Sequence, residues 1–154
     1  MDKVYLFKKD GTQQVVELKP KDDTRLYDLY KIIDCDAIDV RMVHKFGDGS
    51  NLCLIFDDEF LYKKEEGEKP TLVAFTEDPR EPFILFFGNI VMAEHDFKGD
   101  IVDMDLDRLY KTPLPFIPYG ELQGDLKKAV DAYAQIVEPS ITFQPLEEYI
   151  GDKE

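Results

Sequence analysis

Apolar positions along this chain change period several times, and each change marks an element. Val4-Tyr5-Leu6-Phe7 and Gln14-Val15-Val16-Glu17-Leu18 are β-rich runs on either side of Asp10-Gly11, a turn signal, and together they predict a hairpin. Pro20 and the polar residues after it break the pattern. Leu26, Leu29, Tyr30 and Ile33 then recur at helical spacing, with Asp23 or Thr24 placed to cap the helix. A second hairpin follows, from strand Asp36–His44 through Gly47-Asp48-Gly49-Ser50 to strand Asn51–Asp57. If Ile38, Val40 and Met42 share one face with Leu54 and Phe56, Met42 lies opposite Leu54 and Val40 opposite Phe56.

The mixed charges of Lys63–Pro70 read as a solvated loop, and Thr71–Phe75 as a short strand. Pro79 and Pro82 make the next stretch a loop. Phe83–Phe87, Gly88-Asn89 and Ile90–Glu94 read as a hairpin or a bulged strand. After a turn at Gly99, Leu106, Leu109 and Tyr110 mark a helix over Met104–Lys111. The prolines of residues 112–118 make a stiff extended linker. Leu122, Leu126, Ala129, Val130, Tyr133 and Val137 then predict a helix of several turns that Pro139 ends. Ile141, Phe143, Leu146, Tyr149 and Ile150 give the tail enough apolar surface to dock.

These elements predict an α+β fold: a mostly antiparallel sheet built from hairpins, short helices on one face, and a C-terminal helical extension. The organisation expected is a core over 1–111, a linker over 112–118, and a helix and tail over 119–154 packed on the same domain. A hydrophobic content of 44% over 154 residues is enough for one core and far from a disordered composition.

Charge narrows the function classes. The net formal charge is -14, and it is uneven: residues 1–33 carry seven Lys/Arg against six Asp/Glu, whereas residues 34–154 carry twelve against twenty-seven. A field of that sign repels phosphates and anionic lipid, so direct nucleic-acid binding and membrane binding are not expected. A basic partner surface, such as that of a host protein, suits it, as does a small ligand. The start of the chain lacks the pattern of a signal peptide, and no apolar run approaches the roughly 20 residues of a membrane span. A cytoplasmic location is therefore expected. Cys35 and Cys53 lie too far apart in the predicted hairpin to bridge and read as reduced thiols.

The acids cluster at the ends of strands. Asp34, Asp36 and Asp39 crowd the start of one predicted strand, Asp57, Asp58 and Glu59 close its partner, and Asp100 opens a run that continues through Asp103, Asp105 and Asp107. Several features of residues 1–110 resemble domain of unknown function 3846, a small family of phages and bacterial mobile elements. These are the helix Leu26–Ile33, Asp34-Cys35-Asp36, the strand Leu52–Phe56 with Asp57-Asp58-Glu59, and Gly88-Asn89-Ile90-Val91 followed by Asp96 and Gly99-Asp100. The resemblance implies a mobile-element setting, in which small acidic proteins antagonise host proteins, and it carries over no catalytic residue.

Known catalytic patterns are missing. The carboxylates do not have the spacing of a calcium loop, no His pair has zincin spacing, and the two cysteines do not make a zinc site. Neither a nucleophile elbow nor a phosphate loop is present. No cofactor is expected. His44 reads as a rim histidine, and His95, between Glu94 and Asp96, as a group whose pKa its acidic neighbours raise. The expected function is non-enzymatic. It is binding, with inhibition of a host protein, through an acidic face of Asp34, Asp36, Asp39, Asp57, Asp58, Glu59 and Asp100 that imitates a phosphate track. The alternative is a metal-dependent enzyme on phosphate-containing substrates, using Asp34, Asp36, Asp57 and Glu59.

Overall fold

A computed structural model describes residues 2–19 and 24–142, with side chains as far as Ala134. Asp23 as a helix cap and the docking of the apolar tail both lie outside the described residues. In chain order the elements are β1 (Asp2–Phe7), β2 (Gln13–Leu18), α1 (Arg25–Ile33), β3 (Ile38–Lys45), β4 (Asn51–Asp57), α2 (Phe60–Lys63), β5 (Leu72–Phe75), β6 (Phe83–Phe86), β7 (Ile90–His95), β8 (Ile101–Val102), α3 (Leu106–Tyr110), β9 (Phe116–Pro118) and α4 (Gly124–Thr142). The fold is α+β, with antiparallel sheets built from hairpins.

Two sheets share the strands. The first runs β2-β1-β7-β4-β3, with β8 extending it beside the end of β7, and the second runs β6-β5-β9. Alternation along each strand sends side chains to two cores. Leu52, Leu54 and Phe56 of β4 join Phe7, Ile90 and Met92 in packing against Leu72, Ala74, Phe86 and Phe116 of the second sheet. On the other face Ile55, Val91, Val4 and Leu6 pack against Leu29 and Ile33 of α1. The outer face of the second sheet buries Val73 and Leu85 against Leu122 and Val130, the last from α4. The layers are therefore α1, first sheet, second sheet, α4.

The second sheet corrects one expected hairpin. β6 pairs with β5 and β7 with β1 and β4, so the Phe83–Glu94 stretch crosses between sheets. Gly88 makes the crossing at a φ of +84°, a left-handed conformation that glycine adopts without strain. Both strands are apolar on both faces, so their pattern does not say which sheet each joins.

The register of β3 on β4 also differs from expectation. Val40 lies opposite Ile55, Arg41 opposite Leu54 and Met42 opposite Cys53, one residue from the predicted pairing. A bulge at Val43 then sets His44 opposite Leu52, and only from there does the predicted register hold. The cause is β4 itself, whose residues from Leu52 to Phe56 are buried on both faces and tolerate either register. Val40 and Met42 are left 47% and 57% exposed.

Helix details differ in the same way. In α1 the buried face is Arg25, Leu29 and Ile33, whereas Leu26 is exposed. Arg25 is buried because its guanidinium donates to Asp2 at 2.6 Å and to the carbonyls of Lys19 and Ile101. Thr24 is the N-cap residue but makes no side-chain cap bond. Leu109 of α3 is buried while Tyr110 turns outward. The last residues of the proline-rich stretch form β9 against β5. α4 continues past Pro139 to Thr142, although that proline has no N–H for the helix ladder.

Candidate functional site

One end of the first sheet gathers the carboxylates that flank the second hairpin. β4 closes with Asp57, which is buried at 8% exposure because two groups satisfy it. The Glu59 N–H donates to it at 2.9 Å, and Lys63 pairs with it at 2.9 Å. The Asp58 N–H donates to the Ala37 carbonyl, tying the end of β4 to the start of β3. α2 has four residues, too few to hold as an isolated helix. Phe60 anchors it, with its ring 5.6 Å from that of Phe56 and 5.8 Å from that of Phe86. That anchor aims Lys63 back at Asp57.

α1 delivers the other side of this end. Asp34 caps the helix in the left-handed region at a φ of +65°, and the Asp34 and Cys35 N–H groups both donate to the Tyr30 carbonyl. The reversal places Asp34 beside Asp57, and both line a cavity of about 180 Å³ together with Lys9, Phe60, Lys63 and Asn89. Asn89 braces the cavity wall. Its side-chain carbonyl accepts from the Lys9 N–H at 3.0 Å, and its amide donates to the Ile32 carbonyl at 3.1 Å. The volume falls below the ~300 Å³ at which ordinary small-molecule pockets begin.

A broader open groove adjoins the cavity, lined by Tyr27, Tyr30, Lys31, Asp34, Cys35, Asp36 and Lys63. Tyr27 is 65% exposed, and its ring meets that of Tyr30 edge to face at 6.2 Å. Asp36, Asp58 and Glu59 are exposed around the same end. Asp57 holds the Lys63 ammonium above its ordinary pKa through their hydrogen bond, with Asp36 and Glu59 adding to the effect.

The structure thus brings Asp34, Asp36, Asp57, Asp58 and Glu59 together. It does not bring in Asp100, which closes the β7–β8 turn by donating its N–H to Asp96 at 3.0 Å. That turn lies at the Asn51 end of β4, roughly 20 Å from Asp57 at strand rise. Asp39 sits further along β3, and its carboxylate accepts from the Val40 N–H at 2.8 Å. Asp103 binds Lys3 at 2.8 Å, and Asp105 caps α3. Among the described residues the carboxylates therefore form no continuous phosphate-like track, and Lys63 stands in the middle of the group around Asp57.

Among the described residues nucleophiles and metal donors do not converge either. Both cysteines are free, and burial raises both thiol pKa values, with Asp57 adding to the effect at Cys35. His95 contradicts its sequence reading. Burial pushes its pKa down, and this outweighs the opposing pull of Asp96 and Asp100. Glu94 lies on the opposite face, where it binds Arg108 at 2.7 Å. Arg108 also donates to Asp48 and covers the Phe46 ring, which accounts for this second polar cluster as the fastening of α3 to the hairpin turn. Among the described residues no group of three or more His, Cys, Asp or Glu stands where it could hold a metal ion.

Sequence reasoning missed Lys63, Tyr27 and Asn89. The signal for Lys63 was present: Asp57-Asp58-Glu59 before Phe60-Leu61-Tyr62-Lys63 is an acidic start followed by helix-compatible residues. Nothing local marks Asn89, whose partners are 57 and 80 positions away. No protein-family model matches the chain, and neither curated proteins nor solved structures give a match. Among the described residues no helix is long and apolar enough to cross a membrane.

Proposed function

We propose that this chain is a non-enzymatic binding protein of the cytoplasm whose tyrosine-flanked acidic end takes an arginine-bearing surface of another protein. The observation that carries the reading is the exposed Tyr27, stacked at right angles on Tyr30, in the same groove as Asp34 and Asp36. A guanidinium stacks on an aromatic face and pairs two of its N–H groups with a carboxylate, and this groove supplies both. In the mobile-element setting implied by the resemblance to domain of unknown function 3846, the partner is a host protein with a basic groove, and occupancy inhibits it. The metal-dependent alternative needs converging donors, and the described residues offer no such group.

The test is the affinity of the chain for arginine-rich and lysine-rich peptides of equal length, read by fluorescence anisotropy. The arginine peptide should bind more tightly, by about tenfold, and Tyr27→Ala should remove most of that preference. Reversing Asp36, Asp58 and Glu59 to Lys should abolish binding of both peptides. Asp57 stays unchanged in that variant because it is structural. Equal affinities that survive the triple reversal would remove the proposal.

A further inference from the structure

β3 is an open edge of the first sheet, and its outer side has the pattern of a strand that pairs. Backbone direction alternates along it. The Asp58 N–H donates to the Ala37 carbonyl at 3.0 Å, so 37 and 58 face each other as a hydrogen-bonded pair. Two and four residues on, Asp39 faces Phe56 and Arg41 faces Leu54 in the same phase. The N–H and C=O groups of Ile38, Val40 and Met42 therefore point away from β4. The Val40 N–H bears this out by donating to the Asp39 carboxylate beside it.

The side chains complete the pattern. Val40 and Met42 are 47% and 57% exposed on one face of this edge. Asp39 and Arg41 alternate with them and are exposed as well. Arg41 has no ion-pair partner among the described residues. No proline interrupts the eight residues of the strand, and its bulge lies beyond Met42, at Val43. Edges are kept from pairing by prolines, bulges or charged side chains, and the two charges here, Asp39 and Arg41, are opposite in sign and so can pair across an antiparallel contact.

We propose that a second copy of this chain pairs antiparallel with β3 about a two-fold axis at Val40. In that register Val40 meets its own counterpart, Ile38 meets Met42 of the second copy, and Asp39 meets Arg41 in both directions. The three outward-facing residues exchange backbone hydrogen bonds with the second copy. The Val40 N–H passes from the Asp39 carboxylate to a carbonyl, which frees that carboxylate for the opposing guanidinium. Asp39 and Arg41 then form non-hydrogen-bonded pairs, the type in which facing side chains come closest. An axis at Met42 would run the pairing through the bulge, and an axis at Ile38 would leave both charges without opposite partners. The interface is small, so the pairing is concentration dependent.

Sedimentation equilibrium from about 1 μM to about 1 mM tests the proposal. The weight-average mass of the wild-type chain should climb from 17.9 kDa toward twice that value. R41D and D39R should each stay at 17.9 kDa, because like charges then face each other twice. The double variant D39R/R41D restores opposite pairs and should regain the wild-type rise. A wild-type mass that never rises overturns the proposal, and so does a double variant that stays monomeric while circular dichroism shows it folded. Hydrogen exchange on the unaltered chain gives an independent reading. The Ile38, Val40 and Met42 amides should slow by about tenfold across the same concentration range, and rates independent of concentration also overturn it.

Discussion

Asp34 occupies a position that favours glycine on two separate grounds. Its φ is +65°, and it places a carboxylate at the C-terminus of α1, where the helix dipole disfavours negative charge. Asp34→Gly should therefore stabilise the fold by about 0.5–1 kcal/mol in denaturant titrations while weakening the arginine-rich peptide. A variant that loses stability would show that the side chain supports the fold. His95 gives a prediction of the opposite kind. Burial lowers its folded-state pKa from an ordinary value of 6.5. Above that value the imidazole is neutral in both states and stability does not depend on it. As the pH falls below it the unfolded chain takes up the proton first, so stability declines until the pH passes the lower folded value. Between about pH 7.5 and pH 5.5 the wild-type melting temperature should fall further than that of His95→Gln, and equal falls would contradict the burial argument.

At the scale of elements, α2 is what positions Lys63 at the site. Its four residues hold through Phe60, so Phe60→Ala should cost about 2–3 kcal/mol and release Lys63 from Asp57. Urea melts measure the first effect. The Lys63 effect is read as a return of its ammonium pKa toward the ordinary value, and a Lys63 signal that stays put would show that α2 stands without its anchor. The elements themselves were largely legible. Hairpin turns and helical spacing located β1, β2, α1, β3, β4 and α4, since each has one wet face or a marked turn. What stayed hidden was the partition into two sheets and the register of β3. Both depend on strands such as β4 and β7 whose residues are buried on both faces, and a run without polar positions carries no record of which side faces which neighbour. Arg25 escaped for a related reason: its burial depends on Asp2 and Ile101, far away in sequence.

Across the whole molecule, charge counted along the chain is a poor map of charge in space. The near-neutral first 33 residues contribute Lys9 and Lys31 to the end where the acids of β3 and β4 meet. Asp57 is neutralised by Lys63, and Asp100 sits at the far end of the sheet. What remains exposed at the candidate end is Asp34, Asp36, Asp58 and Glu59 beside Tyr27, a patch rather than a track. Clustered acids at strand ends were visible in the sequence, and so was the short helical run that carries Lys63, whereas the tyrosines beside them required the fold. As proposed, this patch, and not net charge, selects the partner. Its most direct test is to follow backbone amide resonances while an arginine-rich peptide of about ten residues is titrated in at physiological salt. Shifts should be confined to residues 27–36 and 57–63. Shifts centred on residues 96–107, or spread evenly over every acidic stretch, would contradict it.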